Sequence, residues 1–435
     1  MTSYWCERAW LGPGDIADGV IVEVEGSSIS AVRRGERAGD SHRLAGLTIP
    51  GFANCHSHAF HRALRGRTQR ERGTFWTWRD TMYEVAGRLD PDSYHALALA
   101  TYQEMALAGI TAVGEFHYLH HDRDGTPYAE PNAMGEALIA AAREAGLRIA
   151  LLDTCYLSSG FGRPPEGVQL RYSDGDADRW AERASGLKAP GPDVVIGAAI
   201  HSVRAVPRNQ LSTVGEALPD SPLHVHLSEQ VAENDACLEA YGVTPAALLG
   251  EAGVLSNRLT AVHATHLTAG DITLLGATGC HADFCATTER DLADGIGPAR
   301  PLVDAGATLT LGTDSHAVVD MHEEMRAVEL DERLHSQHRG HFTADELILA
   351  ATLDGHRSLG FGEAHGIAVG AWADLVTLDL ASPRTAGTGG GAEAAVFAAT
   401  AADITSVVAS GRWLDLDAAR IGAQLGRAID AVAGP

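Results

Sequence analysis

Short apolar runs alternate with amphipathic stretches through the middle of the chain, which is the pattern of βα units. Two of the amphipathic stretches, 94–108 and 133–145, are each followed by a glycine, as helices often are. The apolar runs predict eight strands: Leu47–Ala53, Ile110–Glu115, Arg148–Thr154, Val194–Ile200, Pro222–His226, Leu259–His263, Gly279–Asp283 and Thr308–Thr313. Eight such units over about 320 residues predict an α/β fold of the (β/α)8 TIM-like barrel type.

An open, doubly wound sheet is the alternative with the same alternation of strands and helices. The nucleotide-binding forms of that fold carry a glycine-rich phosphate loop directly after the first strand. Neither GxGxxG nor GxxxxGK[ST] follows the first predicted strand of this chain. The pattern therefore favours the barrel over the open sheet.

The two ends of the chain differ from the middle, because their apolar runs are short and no helical stretches separate them. Residues 20–24 near the start and 404–408 near the end are strand-like. Short strands at opposite ends of a chain can pair within one domain. We therefore expect a small β-sandwich domain built from residues 1–46 and 367–435, beside a catalytic barrel of residues 47–366.

Histidine and aspartate residues fall at the ends of four predicted strands. His56 and His58 follow the first strand two positions apart, so in extended backbone their side chains point to the same side. His226, His263 and Asp314 stand at the ends of the fifth, sixth and eighth strands. The carboxyl ends of barrel strands meet at one rim, where the active sites of this fold lie. Each residue alone would commonly have a structural role, but together they predict a metal site.

The residue types in this set suit one divalent cation of borderline softness. We assign His56, His58, His226 and Asp314 as its ligands, because zinc binds imidazole nitrogen and carboxylate oxygen. A catalytic zinc site keeps one position open for water and makes hydroxide available near neutral pH. The expected cofactor is Zn²⁺, one ion per subunit, with iron or manganese as alternatives.

Charge and composition limit the expected partners. The chain has 33 Lys and Arg residues against 57 Asp and Glu residues, a net charge of −24, so neither nucleic acid nor an anionic membrane is an expected partner. The apolar runs are too short to span a bilayer, and the first residues do not have the pattern of a signal peptide. The six cysteines are dispersed without a CxxC pair, which favours a reducing, cytoplasmic location.

The sequence resembles the amidohydrolase superfamily over nearly its whole length. The resemblance rests on residues 50–58, which end in His-Ser-His, on His263, and on the Gly-Thr-Asp of 312–314. It implies a metal-dependent hydrolase with an amidohydrolase-type barrel and a β domain split between the termini. Binuclear members carry a lysine at the end of the fourth strand, and this chain has none there. The HxxE motif of the mononuclear branch, which includes deaminases, is matched by residues 226–229.

Several shorter segments are similar to one group within the superfamily, the formimidoylglutamate deiminases of histidine degradation. These segments are 56–66, 75–79, 115–118, 201–204, 226–230, 287–289 and 294–295. The similarity implies hydrolysis of N-formimino-L-glutamate to N-formyl-L-glutamate and ammonia, by a homodimer. We expect Glu229, His263 and Asp314 to carry the proton transfers of this reaction.

The same resemblance implies how a small substrate with two carboxylates is bound. Tyr118, His201 and Arg204 bind one carboxylate, and Arg79 binds the other. His61 stands where some members carry a glutamine that bonds the formimino group, and histidine can also donate a hydrogen bond. A chain of net charge −24 needs fixed cations to hold a dicarboxylate, and arginine binds carboxylates through two parallel hydrogen bonds.

Two other functions stay open at this point. One is another mononuclear amidohydrolase deaminase, of nucleobase or S-adenosylhomocysteine type, which would need stacking aromatic side chains rather than a pair of arginines. The other is a metal-dependent binding or scaffold protein that has lost catalysis. That second function predicts a missing acid–base group, whereas Glu229, His263 and Asp314 are all present.

Overall fold

Two β-sheets organise the part of the chain that the computed structural model describes, which is residues 2–69, 73, 75–362 and 366–433, without the side chains of Phe75 and Trp76. In chain order the strands are β1 (Thr2–Gly12), β2 (Asp15–Glu25), β3 (Ser28–Arg33), β4 (His42–Pro50), β5 (Phe52–Ser57), β6 (Ile110–His117), β7 (Arg148–Cys155), β8 (Val194–Ile200), β9 (Leu223–Leu227), β10 (Leu259–His263), β11 (His281–Phe284), β12 (Thr308–Leu311), β13 (Leu375–Leu378), β14 (Ile404–Ala409) and β15 (Arg412–Trp413). Strands β5 to β12 form one parallel sheet in that order. The other strands form a mixed sheet in the order β15-β14-β13-β4-β1-β2-β3.

Along the described part of the chain, ten α-helices lie between strands of the parallel sheet and five follow its last strand. In chain order they are α1 (Phe75–Ala86), α2 (Pro91–Leu107), α3 (Ala133–Ala145), α4 (Ala177–Ser185), α5 (Leu211–Ala217), α6 (Val231–Tyr241), α7 (Pro245–Glu251), α8 (Ala269–Thr278), α9 (Ala286–Leu292), α10 (Ala299–Ala305), α11 (Met321–Ser336), α12 (Ala344–Ala351), α13 (Leu353–Ser358), α14 (Ala392–Phe397) and α15 (Ala418–Ala433). Short 3-10 helices cover Ala59–Leu64, Gly167–Tyr172, Arg208–Gln210 and Ala401–Asp403. None of the helices within the described ranges is long and apolar enough to cross a membrane.

The parallel sheet is the (β/α)8 barrel that the sequence predicts. Every residue of β6 and β7 is buried. This is expected where the side chains of one face fill the barrel and those of the other face pack against helices. The continuous apolar runs of the central sequence are the direct result of this two-sided burial, and the predicted fold is confirmed.

The first predicted strand, Leu47–Ala53, is wrong in its bounds. It joins the end of β4, which belongs to the mixed sheet, to the start of β5, which belongs to the barrel. The chain passes between the sheets at Gly51, whose N–H donates to the carbonyl of Asp374. A Cβ at Gly51 would lie 2.5 Å from the side chain of Thr111, so a larger residue has no room there.

Backbone contacts between the first and last strands bring the barrel close to full closure. The N–H of Asp314 donates to the carbonyl of His56 at 2.9 Å, and the N–H of His58 donates to the carbonyl of Asp314 at 3.2 Å. One residue further back, the Asn54 side chain bonds both the hydroxyl and the N–H of Thr313, at 2.7 and 2.9 Å. The two strands therefore meet at residues that the sequence predicts as metal ligands.

The mixed sheet brings the two ends of the chain together at the amino end of the barrel strands. Strand β4 pairs in parallel with β1 and antiparallel with β13. At the first residue of β7, the buried Arg148 forms a 2.5 Å ion pair with Asp374, which precedes β13. The guanidinium of Arg148 also lies 4.5 Å from the ring centroid of Trp372. This contact anchors the terminal strands to the amino end of the barrel.

Candidate active site

Imidazole and carboxylate groups converge at the carboxyl end of the barrel. His56 lies in β5, His226 in β9, and His263 is the last residue of β10. His58 directly follows β5, and Asp314 comes shortly after β12. The possible ligand atoms of these residues form groups of three within 4.8 Å of one another, such as His56 with His58 and His226. The structure therefore brings together the five residues that were predicted from their positions at strand ends.

Asp314 is the carboxylate at the centre of this cluster. Its Oδ1 lies 3.4 Å from Nε2 of His56 and 3.3 Å from Nε2 of His58. Nε2 of His56 lies 3.1 Å from Nε2 of His226. Ligand atoms held about 2.0–2.1 Å from a tetrahedral zinc ion would lie about 3.3 Å from one another. The spacing of these nitrogen and oxygen atoms fits such an ion.

Two of the imidazoles are oriented by backbone carbonyls. Nδ1 of His58 lies 2.9 Å from the carbonyl of Phe116, and Nδ1 of His226 lies 2.9 Å from the carbonyl of His201. A carbonyl only accepts, so each Nδ1 carries the hydrogen and each Nε2 presents its lone pair to the cluster. Burial lowers the pKa of both rings well below the ordinary value, which favours the neutral form that binds metal.

Several residues around the cluster have left-handed backbone conformations that side chains other than glycine rarely adopt. The φ angles are 52° at Ser228, 69° at His263, 46° at Ala264, 42° at Asp314 and 56° at His316. All of them lie just past, or at the end of, a barrel strand. Such conformations cost of order 1–3 kcal/mol each and persist where the surrounding structure requires them. The fold here maintains side-chain positions at the expense of backbone strain.

His263 lies between carboxylates. Its Nε2 is 3.9 Å from Oδ2 of Asp314, and its Nδ1 is 3.3 Å from Oε1 of Glu289. Burial alone would lower the pKa of His263, but the charges of Glu229, Glu289 and Asp314 raise it well above the ordinary value. Burial also raises the pKa of Glu229. Both shifts favour the protonated forms of these side chains, which suits groups that exchange protons with a substrate.

Two connected cavities lead to the cluster. The inner cavity, of about 70 Å³, is lined by His58, His226, His263 and Asp314 among others. The outer cavity, of about 590 Å³, lies between the 159–163 segment and helix α6. Three residues line both cavities: Arg79, Arg204 and Glu229. Two cations and one carboxylate thus stand at the boundary between the cavities.

The five residues predicted to bind substrate all line the inner cavity, and they are His61, Arg79, Tyr118, His201 and Arg204. Nε2 of His61 lies 3.0 Å from the hydroxyl of Tyr118. The rings of Tyr118 and His201 are 5.5 Å apart, and the His201 ring is 5.1 Å from that of His226. His61, Tyr118 and His201 therefore lie side by side next to the cluster, and Arg79 and Arg204 stand at the boundary with the outer cavity.

Comparison with known proteins agrees with this architecture. Residues 47–414 match the sequence pattern of the amidohydrolase family. The chain belongs to the amidohydrolase family.

Individual amidohydrolases resemble the chain over nearly its full length. A formimidoylglutamate deiminase from Pseudomonas aeruginosa is 35% identical over 97% of this chain and 96% of that protein. A 5-methylthioadenosine/S-adenosylhomocysteine deaminase from Nitratidesulfovibrio vulgaris is 27% identical over 92% of this chain and 88% of that protein. The crystal structure of an amidohydrolase from Brucella melitensis superimposes with a TM-score of 0.90 and 31% identity, covering 99% of this chain and 100% of that one.

A buried glutamate that the sequence pattern did not single out supports the turn after β5 in this amidohydrolase. Glu115, in β6, accepts the hydroxyl of Ser57 and the N–H of Ala59, each at 2.7 Å. These two residues flank His58. Burial raises the pKa of Glu115 to about 8. Glu115 thus holds the turn that carries His58. Its sequence signals are a charged residue within a mostly apolar strand and its place in the segment 115–118.

Proposed function

We propose that this amidohydrolase is a formimidoylglutamate deiminase, which hydrolyses N-formimino-L-glutamate to N-formyl-L-glutamate and ammonia in histidine degradation. The observation that carries the proposal is the position of Arg79 and Arg204, at the boundary of the inner cavity beside a His–Asp cluster and Glu229. The 35% identity to the Pseudomonas aeruginosa formimidoylglutamate deiminase supports the same substrate.

The proposed cofactor is one Zn²⁺ ion per subunit, held by His56, His58, His226 and Asp314. The neutral imidazoles and the spacing of the ligand atoms support this choice. A bound Zn²⁺ ion supplies a Lewis acid that makes hydroxide available near neutral pH.

The arginines are proposed to bind the two carboxylates of the substrate. Arg204 binds one carboxylate together with Tyr118 and His201, and Arg79 binds the other. Arginine suits this task because its planar group donates two parallel hydrogen bonds to a carboxylate. With both carboxylates held at the boundary of the cavities, the formimino end of the substrate extends into the inner cavity.

The formimino group is proposed to meet His61 at the inner wall, beside Tyr118. The 3.0 Å contact between Nε2 of His61 and the Tyr118 hydroxyl leaves one hydrogen between the two atoms, so each can adjust to a donor or an acceptor on the substrate. His61 is neutral at physiological pH, because burial lowers its pKa to about 4. A neutral imidazole can accept a hydrogen from the amidine or donate one to it.

Proton transfer is proposed to involve three residues. His263 and Asp314 accept the proton that the attacking water gives up as its oxygen adds to the formimino carbon. The hydroxyl of the intermediate gives up the second proton of the water as the formyl carbonyl forms. Glu229 passes the two protons in turn to the leaving nitrogen, whose bond to carbon breaks so that ammonia departs. The raised pKa values of Glu229 and His263 support these roles.

The test is ammonia release from N-formimino-L-glutamate by the zinc-bound protein, with N-formimino-L-aspartate and adenosine as comparison substrates. We expect fast release from the glutamate compound and none from adenosine. Arg204→Ala should lower kcat/KM by about 10–100-fold, mainly through KM, because a charged hydrogen-bonding partner of the substrate is lost. Arg163→Ala is the matched control, since Arg163 lines the outer cavity only. Release from adenosine alone would favour a ring-amine deaminase.

A further inference from the structure

Glu289 is a buried carboxylate in direct contact with His263. Its Oε1 lies 3.3 Å from Nδ1 of His263, and only 4% of Glu289 is exposed to solvent. The same oxygen accepts the N–H of Cys285 at 2.9 Å. Glu289 does not line either cavity, so its contact with the reaction runs through the imidazole.

The position of Glu289 is determined by the local backbone. Strand β11 ends at Phe284, and Cys285 precedes helix α9. The N–H of Glu289 donates to the carbonyl of Cys285 at 2.9 Å, while the Glu289 carboxylate accepts the Cys285 N–H. The side chain is therefore held at the start of its own helix by two reciprocal hydrogen bonds, which leave Oε1 directed at the ring of His263.

The partner of His263 differs in kind from the partners of the predicted ligand histidines. His58 and His226 donate through Nδ1 to neutral backbone carbonyls. His263 donates to a carboxylate, which is a charged acceptor. His263 also has a left-handed backbone with φ of 69°, a conformation that persists where the surrounding structure requires it.

We propose that Glu289 is a positioning residue for His263. It holds the hydrogen on Nδ1 and directs Nε2 toward Asp314 and the inner cavity, where the attacking water must give up its proton. The proposal rests on the proposed function, because it assumes that His263 takes part in the hydrolysis.

Two variants of Glu289 separate an effect on the orientation of the His263 ring from an effect on the stability of the protein. Glu289→Ala removes the acceptor, and we expect kcat to fall about 10–100-fold with KM and zinc content unchanged. Glu289→Gln keeps an acceptor oxygen, and the Cys285 N–H selects the amide orientation in which that oxygen occupies the Oε1 position. Glu289→Gln should therefore recover most of the lost kcat.

Glu324→Gln is the matched control. Glu324 is also a buried carboxylate, and it accepts the N–H of Thr287 in helix α9, but it does not contact His263. Its substitution should lower thermal stability and change kcat less than about threefold. A loss of kcat in Glu324→Gln equal to that in Glu289→Ala would reduce Glu289 to a structural role and overturn the proposal.

A second readout does not depend on activity. In protein with ¹⁵N-labelled histidine, the Nδ1 hydrogen of His263 should give a slowly exchanging low-field proton signal, identified by its absence in His263→Gln. The signal should disappear in Glu289→Ala and persist in Glu289→Gln. If the wild type releases no ammonia but shows this signal pattern, the proposed function is refuted, while the hydrogen bond between Glu289 and His263 is confirmed. If the wild type is active and Glu289→Ala is equally active, the positioning role is refuted alone.

Discussion

Two buried clusters of histidine and aspartate in this barrel have the same kinds of residue, yet their surroundings differ. One contains His56, His263 and Asp314, and the other contains His117, His120 and Asp153. In both, one ligand atom from each residue lies within 4.8 Å of the others, and all three residues are buried. By residue type and distance alone, both would be candidate metal sites.

The difference between the clusters lies in the partners of the aspartates. Arg183 donates to both oxygens of Asp153 at 2.9 Å, and the indole N–H of Trp180 donates to Oδ1 at 2.8 Å. The negative charge of Asp153 is therefore already neutralised by a cation of the chain. Within the described ranges, Asp314 forms ion pairs with histidines only, and neither arginine nor lysine neutralises it.

This contrast supports Asp314 as the carboxylate of the proposed metal site, because its partners within the described ranges are histidines and not a permanent cation. A buried carboxylate is costly unless it is paired, and the proposed metal ion would supply a further partner for Asp314. The pKa of each aspartate is held low against burial, at Asp153 by the charge of Arg183 and at Asp314 by its hydrogen bond and charge interaction with His56.

Substitution of the two aspartates should give the largest contrast. Asp314→Asn removes the carboxylate from the first cluster, and we expect loss of bound zinc and a fall in ammonia release of about 10³-fold or more. Asp153→Asn, the matched control, should keep one zinc ion per chain and most of the activity. Elemental analysis after gel filtration measures the metal. Zinc retained in Asp314→Asn but lost in Asp153→Asn would reverse the assignment of the two clusters.

Glu229→Gln should show whether the proton-transfer step can be lost while metal binding is kept. The amide cannot deliver a proton, so kcat should fall by about 10²–10⁴-fold while the zinc content stays at one ion per chain. The measurement is the steady-state rate of ammonia release beside metal analysis of the same sample. Activity close to that of the wild type would remove Glu229 from the proton path.

Asp153→Asn should have its main effect on stability. The substitution leaves the buried Arg183 without half of its charge partners, which typically costs about 3–5 kcal/mol in the free energy of unfolding. Urea unfolding followed by circular dichroism measures this change. A variant as stable as the wild type would mean that Asp174, the other partner of Arg183, is sufficient.

The smallest expected effect is on how the free energy of unfolding changes with pH. Burial and the charge of Arg183 lower the pKa of His120 to about 4, below its ordinary value near 6.5. The folded chain therefore binds fewer protons there than the unfolded chain, so this stability is complete above pH 6.5 and is lost as the pH falls toward 4. His120→Gln should reduce the fall in unfolding free energy between pH 7.5 and 5 by about 1–2 kcal/mol. An identical fall in both proteins would mean that other groups set the acid sensitivity.

The barrel could be predicted from the sequence because two-sided burial produces continuous apolar runs that are regularly spaced. Gly51 shows where this reasoning fails. The predicted strand runs through Leu47–Ala53 although the chain changes sheets in its middle, because both sheets bury their strands at that point. The pattern of apolar residues reports burial, but not which neighbouring strand provides it.

The cluster could be predicted because its members stand at strand ends, where the fold itself brings them together. Glu115 and Glu289 could not be predicted in the same way, since a glutamate in a sequence usually lies on the surface. Their roles depend on the distances from Glu115 to Ser57 and from Glu289 to His263, which only the folded chain defines. The expected homodimer, the cytoplasmic location and the domain boundaries stay predictions.

The hydrogen bonds between the first and last barrel strands have a consequence for how the chain folds. Asn54 and Thr313, which bond each other beside the cluster, are 259 positions apart, so most of the chain must be synthesised before this contact can form. An ion held by His56, His58 and Asp314 would link the first barrel strand to the last. Removing the ion from the folded enzyme should therefore speed unfolding as well as stop turnover, because its binding free energy opposes the opening of the barrel.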